Sequence, residues 1–327
     1  MGVTASQVLF SVLILFSYSD DLPSLFTVRV SALGAVMLPI AGQAVNIVQS
    51  NDDGWAEKNL RRFYNSLTDA GFSTFISAPA EDQSGRSSLD SPQDSVDDGC
   101  QFGSCPRGSP PTGRNSSEPR FNYVNSYPVT AMKYGINTLA KEFYGGKPDI
   151  AVAGPNVGSN LGIITQFSGT IGAATAASKL GVPGIAFSGS SGEQTAWNAP
   201  LGDYMTIYAD LSTTVTQALV SSGKPYLPSN TWLNVNYPKV ENSSCSSAAD
   251  FKFVLSRIYP AVPFITDGDV QTCGNGGRLP TERDVIGTKG CHASISVGVA
   301  DSKGDAGVAK QTIVRDKLKS ILSCLPD

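Results

Sequence analysis

At 327 residues, with 41% hydrophobic content, the chain is long enough for one large domain or two small ones and has none of the marks of disorder. Charged residues make up 16% and the formal net charge is −4, which excludes the broad basic surface that binding a nucleic acid duplex requires, so any phosphate is held locally. The single histidine, His292, excludes a multi-histidine zinc site. Any Ser-His-Asp triad or Cys-His dyad would have to be built around it, whereas the alternation in His292-Ala293-Ser294-Ile295-Ser296-Val297 accounts for it as a strand residue.

Two apolar runs open the chain, at 8–16 and 30–44, and neither reaches the roughly 20 uninterrupted apolar residues of a membrane span. The second ends Ala41-Gly42-Gln43-Ala44 and reads as a signal-peptide core with a cut after Ala44. Residues 1–44 are thus expected to be a leader, and the protein to be secreted or held in the secretory pathway or vacuole. Six cysteines, an even number, fit three disulfides in that compartment. Cys100 and Cys105 are close enough to close a small loop, and the pairing of Cys245, Cys273, Cys291 and Cys324 is left open. Sequons at Asn115-Ser116-Ser117 and Asn242-Ser243-Ser244 agree with export.

From residue 45 strand and helix patterns alternate. Val45-Asn46-Ile47-Val48 reads as a strand. Asn51-Asp52-Asp53-Gly54 follows, and then a helix over 57–70 with Leu60, Phe63, Leu67 and Ala70 at helical spacing, stopped by Gly71. A strand at 73–78 comes next. Residues 89–118 lose all periodicity and read as a long surface excursion. Val129, Met132, Ile136, Leu139 and Phe143 mark a helix, and Asp149-Ile150-Ala151-Val152-Ala153-Gly154 a strand buried on both faces. After a loop at 155–167 come an alanine-rich helix at 169–180, a strand at 184–188, a helix carrying Tyr204, Ile207, Leu211 and Val215, and a strand at 232–236 ended by Pro238. Two more strands, 251–259 and 292–299, flank a glycine-rich, cysteine-bearing segment, and a last helix carries Val314, Leu318, Ile321 and Leu322. This order predicts an α/β fold of three layers, a Rossmann-like, mainly parallel sheet with helices on both faces.

Two adjacent carboxylates repel each other, and a bound cation removes the conflict. Asp and Asn oxygens with hydroxyls and water suit magnesium, manganese or calcium. Parallel strands deliver their following loops to one edge, so Asp52 and Asp53, the segment 78–85, and 154–162 are expected to converge. Ser168-Gly169-Thr170 opens a helix whose free N–H groups make an anion site. Cation site beside anion site reads as phosphate chemistry. Taken singly, each piece is also an ordinary turn or helix cap.

Asn51-Asp52-Asp53-Gly54, Ala78-Pro79 with Ser84-Gly85, Pro148-Asp149-Ile150, the 154–162 segment, Ser168-Gly169-Thr170 and Leu233-Asn234-Val235-Asn236-Tyr237-Pro238 resemble, in order, the motifs of the SurE family of metal-dependent phosphatases and nucleotidases. The resemblance covers about 45–240. It implies that Asp52, Asp53, Ser84 and Asn156 hold a divalent cation, Mg2+ or Mn2+, that Ser168, Gly169 and Thr170 contact the phosphate, and that Asn160 and Asn51 support them. It implies hydrolysis of a small phosphorylated substrate, a nucleoside monophosphate or another phosphomonoester, with Asp52 as base or nucleophile, in the manner of an exported fungal-type acid phosphatase. Residues 241–327 then complete the same domain as a β-hairpin arm and a helix, with 259–290 reaching a neighbour in a dimer or tetramer. The insertion carrying Cys100 and Cys105 departs from the family pattern. The rival expectations are an exported phosphate-binding or nucleotide-binding protein without turnover and an ester hydrolase of another type. Gly154-Pro155-Asn156-Val157-Gly158 lacks the serine of a nucleophile elbow, and Asp267-Gly268-Asp269 follows no buried strand.

Overall fold

The computed structural model describes residues 44–241 and 245–326. The N-terminal apolar runs and the sequon at Asn242 lie outside the described residues. Strand β1 (Asn46–Ser50) sends Ile47 to one face and Val48 to the other, as a two-residue period requires. Helix α1 (Lys58–Asp69) begins where the Glu57 carboxylate accepts from the Leu60 N–H, 3.1 Å away, and it buries Leu60, Phe63 and Leu67. Each such side chain contributes about 1.5–3 kcal/mol on burial. Strand β2 (Ser73–Pro79) returns parallel to β1.

The excursion after β2 is irregular through most of its length, and Cys100 and Cys105 are joined as expected. It ends in β3 (Thr112–Arg114), antiparallel to β4 (Phe121–Val124), which lies parallel to β2. Strands of three and four residues are too short to announce themselves by alternation. The next predicted helix is α2 (Pro128–Tyr134), one π turn and α3 (Ala140–Tyr144). Strand β5 (Ile150–Val157), helix α4 (Gly169–Lys179), strand β6 (Gly184–Gly189), helix α5 (Asp203–Ser221) and strand β7 (Thr231–Tyr237) follow. One face of the sheet packs against α1 and α5 through Phe63, Leu67, Leu211 and Val215, the other against α2 and α4 through Met132, Ile171 and Ala174.

The C-terminal part adds β8 (Lys252–Ser256), α6 (Glu282–Gly287), β9 (His292–Val299), β10 (Gly304–Asp305), α7 (Val308–Leu318) and β11 (Leu322–Ser323). The sheet order is β11-β8-β9-β7-β6-β5-β1-β2-β4-β3, with β10 beside β9. The hairpin here is smaller than expected: β9 and β10 form one, whereas β8 and β9 pair parallel. Parallel neighbours need a crossover, and 257–291 supplies it. That segment folds back on its own chain. Arg257 is buried 2.7 Å from Asp269, Val270, Leu279 and Glu282 are buried, and disulfides Cys245–Cys291 and Cys273–Cys324 fasten it. Its exposed large apolar side chains are at the tip, Val262, Phe264 and Ile265.

Among the described residues no helix is long and apolar enough to cross a membrane. Strand β1 lies between β2, which follows it in sequence, and β5, reached after the chain has crossed back. The strand order reverses there, so the loops after β1 and β5 flank a crevice where open α/β sheets bind ligands.

Candidate active site

Beyond β1 the backbone turns sharply. The Asn51 side-chain amide donates to Gly54 O at 3.1 Å, and Gly54 adopts φ 103°, a conformation natural only to glycine. This turn buries both following carboxylates, Asp52 and Asp53, to within 2% of full burial. Asp52 Oδ1 accepts from the Thr170 hydroxyl at 2.5 Å. Asp53 Oδ2 accepts from the Val157 N–H and Oδ1 from Gln194 Nε2, both at 3.0 Å. Among the described residues no lysine or arginine pairs with either. Burial therefore dominates: Asp52 is pushed up to about 6 despite the Thr170 bonds, and Asp53 is raised well above the usual carboxylate range, first by burial and then by the adjacent Asp52 and Glu57 charges.

The predicted loops reach this pair by different routes. The Gln83 N–H donates to Asp52 O at 2.7 Å and ties the loop after β2 to the pair. Ser84 is exposed on that loop and donates its hydroxyl to Asp82 Oδ1 at 2.6 Å, with no hydrogen bond to either aspartate. A bulge at the end of β5, between Ala153 and Asn156, redirects the strand so that Val157 meets Asp53. Asn156 is half-buried and donates to Gly158 O at 2.7 Å. Among the described residues its Oδ1 accepts no hydrogen bond.

Asn160 is clamped rather than free. Its N–H donates to Asn236 Oδ1 at 2.8 Å, its carbonyl accepts from Asn234 and Asn236, and its side chain donates to Ser188. Ser168 caps α4 by accepting from the Ile171 N–H at 3.2 Å. Gly169 sits so close to the pair that a Cβ on it would lie 2.8 Å from Asp52 Cβ. The structure thus gathers Asp52, Asp53, Thr170 and Gly169 into direct contact, leaves Asn156 alongside through Val157, and holds Ser84 one residue from the segment that touches Asp52.

Several residues here carry no local signature. Gln194, on the loop after β6, holds Asp53. Lys303, in the β9–β10 turn, is buried and donates to Ser87 Oγ at 3.1 Å, while the Ser87 N–H donates to Phe167 O at 2.9 Å, joining the Ser84 loop to the entry of α4. Glu282, wholly buried at the start of α6, accepts from Asn234 Nδ2 at 2.7 Å and from the Gly162 N–H at 3.3 Å, and burial pushes it up to about 8. One signal existed for this cluster: Asn234 and Asn236, two apart on an otherwise apolar strand, point to the same face.

The donors suit a hard divalent cation. Two buried carboxylates lack a countercharge, Asn51 Oδ1 is buried without a hydrogen-bond partner, and every candidate ligand is an oxygen. Among the described residues no group of three or more His, Cys, Asp or Glu side chains is placed to share a metal, so a cation here also needs neutral oxygens from asparagine, serine or water. A cavity of about 560 Å3 lined by Leu255, Arg278, Arg315 and Lys319 lies at the far edge beside β11 and includes none of these residues.

A mainly parallel α/β sheet with paired acids at its switch point, facing the start of a helix, defines the class of open-sheet α/β proteins that bind a ligand at the carboxyl ends of their strands. The Survival protein SurE family matches residues 47–256, and the chain belongs to that family. It is 32% identical over 303 residues, 84% of each chain, to an acid phosphatase of Yarrowia lipolytica. It is 31% identical over 201 residues, 60% of this chain and 67% of the relative, to a 5'-nucleotidase SurE of Lawsonia intracellularis. The crystal structure of the SurE protein from Aquifex aeolicus shares the fold with a TM-score of 0.53 at 19% identity, covering 78% of this chain and 93% of that one.

Proposed function

We propose that this chain is a phosphoric monoester hydrolase that acts with a divalent cation, Mg2+ or Mn2+, on a small phosphorylated substrate, a nucleoside monophosphate or another phosphomonoester. Its membership of the family and its relatives named acid phosphatase and 5'-nucleotidase support the reaction class. The observation that carries the site is the pair of buried, uncompensated carboxylates against the first residues of α4.

In this reading Asp52, Asp53 and Asn156 Oδ1 hold the cation, with Ser84 joining from its loop. A bound cation supplies charge neutralisation for the phosphate and lowers the pKa of a water. The Gly169 N–H and the positive end of the 11-residue helix α4 take the phosphate oxygens, beside the Thr170 that holds Asp52. Thr170 donates to Asp52 Oδ1, which keeps a lone pair for the cation, while Oδ2 would accept the proton of the attacking water. Asn51 and Asn160 support this site from the turn after β1 and from the clamped loop.

The same reading takes 45–240 as catalytic core, 241–327 as completing its domain, and 1–44 as a leader for export. All six cysteines lie in disulfides, which suits an oxidising compartment. The apolar tip at Val262, Phe264 and Ile265 is the surface available to a second copy in a dimer or tetramer. The test is turnover of a panel of phosphomonoesters before and after exhaustive EDTA treatment, with Mg2+ or Mn2+ added back. Loss and recovery of activity are expected. Undiminished turnover after chelation contradicts the metal role, and tight phosphate binding with no turnover of any substrate contradicts the enzyme.

A further inference from the structure

The insertion closed by Cys100–Cys105 touches the carboxylate pair through two glutamines. Gln101 begins a single 3-10 turn inside the disulfide loop, whose ends are joined by a Cys100 N–H to Cys105 O bond of 3.1 Å. Its N–H donates to Ala80 O at 3.1 Å, and its carbonyl accepts from the Ser104 hydroxyl at 2.7 Å, so its backbone is fixed against the end of β2. Its side chain lies over Gly54. A Cβ at Gly54 would fall 2.0 Å from Gln101 Oε1, which is buried without a hydrogen-bond partner. Gln101 Nε2 donates to Gln194 Oε1 at 3.4 Å, and Gln194 Nε2 donates to Asp53 Oδ1 at 3.0 Å.

Direction follows from the chemistry of the amide. A primary amide donates from nitrogen and accepts at oxygen, so a donor held against Gln194 Oε1 turns Gln194 Nε2 toward Asp53. With Val157 N–H on the other oxygen, both Asp53 oxygens are fixed, and each keeps a lone pair for a cation. Partners that orient a ligating group typically change metal affinity by about 10–100-fold when removed.

We propose that the disulfide loop at 100–105, acting through Gln101 and Gln194 as positioning residues, sets the orientation of the Asp53 carboxylate and with it the affinity of the site for its cation. The inference rests on the metal-site reading above for its consequence, but not for its geometry. The loop is then a working part of the site rather than a solvated insertion.

The experiment has two arms on the full chain. In the metal-free protein, the side-chain amide of Gln194 is followed by NMR. It is expected to be ordered in the wild type, and to gain mobility in Gln101→Ala and in the Cys100→Ser, Cys105→Ser double variant. Unchanged order in both overturns the proposal whether or not metal binds. In the second arm Mn2+ is titrated by calorimetry. Gln194→Ala is expected to weaken binding about 10-fold. Gln101→Ala should weaken it less, and Gln101→Ala combined with Gln194→Ala no more than Gln194→Ala alone, because the two act in series. The melting temperature of the metal-free Gln101→Ala and Gln194→Ala variants should stay at the wild-type value, a readout that distinguishes positioning from loss of structure. Additive losses, or unchanged affinity in Gln194→Ala, overturn the proposal. A wild type that binds no divalent cation contradicts the metal reading instead, and the NMR arm still decides the relay.

Discussion

Replacing Gly169 by alanine adds one carbon at the most crowded point of the site. That carbon would lie 2.8 Å from Asp52 Cβ, 2.9 Å from Pro128 Cγ and 3.0 Å from Asp52 Oδ2. Carbon pairs rest at about 3.5–4.0 Å, so neighbours must give by roughly 0.7–1 Å. Pro128 is rigid at the start of α2, and the Asp52 backbone is held by Gln83, so the displacement falls on the Asp52 side chain and on α4. Overpacking costs about 1–3 kcal/mol. Alanine recovers up to about 1 kcal/mol over glycine in a helix. The net change in melting temperature should stay within several degrees. Activity is more sensitive, since a misplacement of about 1 Å in a catalytic group costs on the order of 100-fold. Hydrolysis of p-nitrophenyl phosphate at saturating Mn2+ is therefore expected to lose about two orders of magnitude in kcat/KM in a folded protein. Gly146→Ala, where nothing lies within 4 Å of the added carbon, serves as the control and should be silent. A Gly169→Ala enzyme within about threefold of wild type, less than 1 kcal/mol, would refute the placement of Asp52 against α4.

Glu282 predicts a pH dependence of stability. Its folded value, about 8, lies above its ordinary 4.5, so its contribution is full below about 4.5, declines as pH rises, and is gone above about 8. Asp52 and Glu57, raised to about 6 and about 7, act with the same sign. The metal-free chain should thus melt at lower temperature at pH 8.5 than at pH 5, and Glu282→Gln should flatten that slope; parallel slopes in the two proteins would count against a protonated Glu282. Asn234→Ala removes the bonds to Asn160 O at 2.9 Å and to Glu282 at 2.7 Å, and should cost about 1–3 kcal/mol in urea unfolding together with part of kcat. A variant as stable and as active as wild type would show that the clamp on the 158–162 loop is dispensable.

The parts legible in the sequence were those with local periodicity. Ile47 and Val48 alternate, Leu60, Phe63 and Leu67 recur at helical spacing, and the acidic pair falls where strand hands over to helix. The rule that parallel strands deliver their loops to one edge brought the 78–85 and 154–162 loops toward the acids, while the bond from Thr170, expected as a phosphate contact, to Asp52 came from the structure. Gln194 escaped because it meets Asp53 across 141 residues of chain, on a loop of Ser, Gly, Glu and Thr with no pattern of its own. Gln101 escaped for the same reason, inside an excursion whose composition reads as solvent-exposed. The parallel pairing of β8 and β9 was hidden because their connection holds only the six-residue α6 amid glycine and proline. Ser84 shows the converse limit: motif order placed it among the ligands, while its hydroxyl in the structure is turned to Asp82.

The central claim is that Asp52 and Asp53 together hold a cation at the switch point of the sheet. Calorimetric titration of the metal-free full-length chain with Mn2+, beside Asp52→Asn and Asp53→Asn, tests it most directly. One binding event per chain is predicted for the wild type, with proton release because raised carboxyls must ionise to ligate. Loss of that event is predicted in each variant while both remain folded. Equal affinity in the wild type and in both variants would contradict the account.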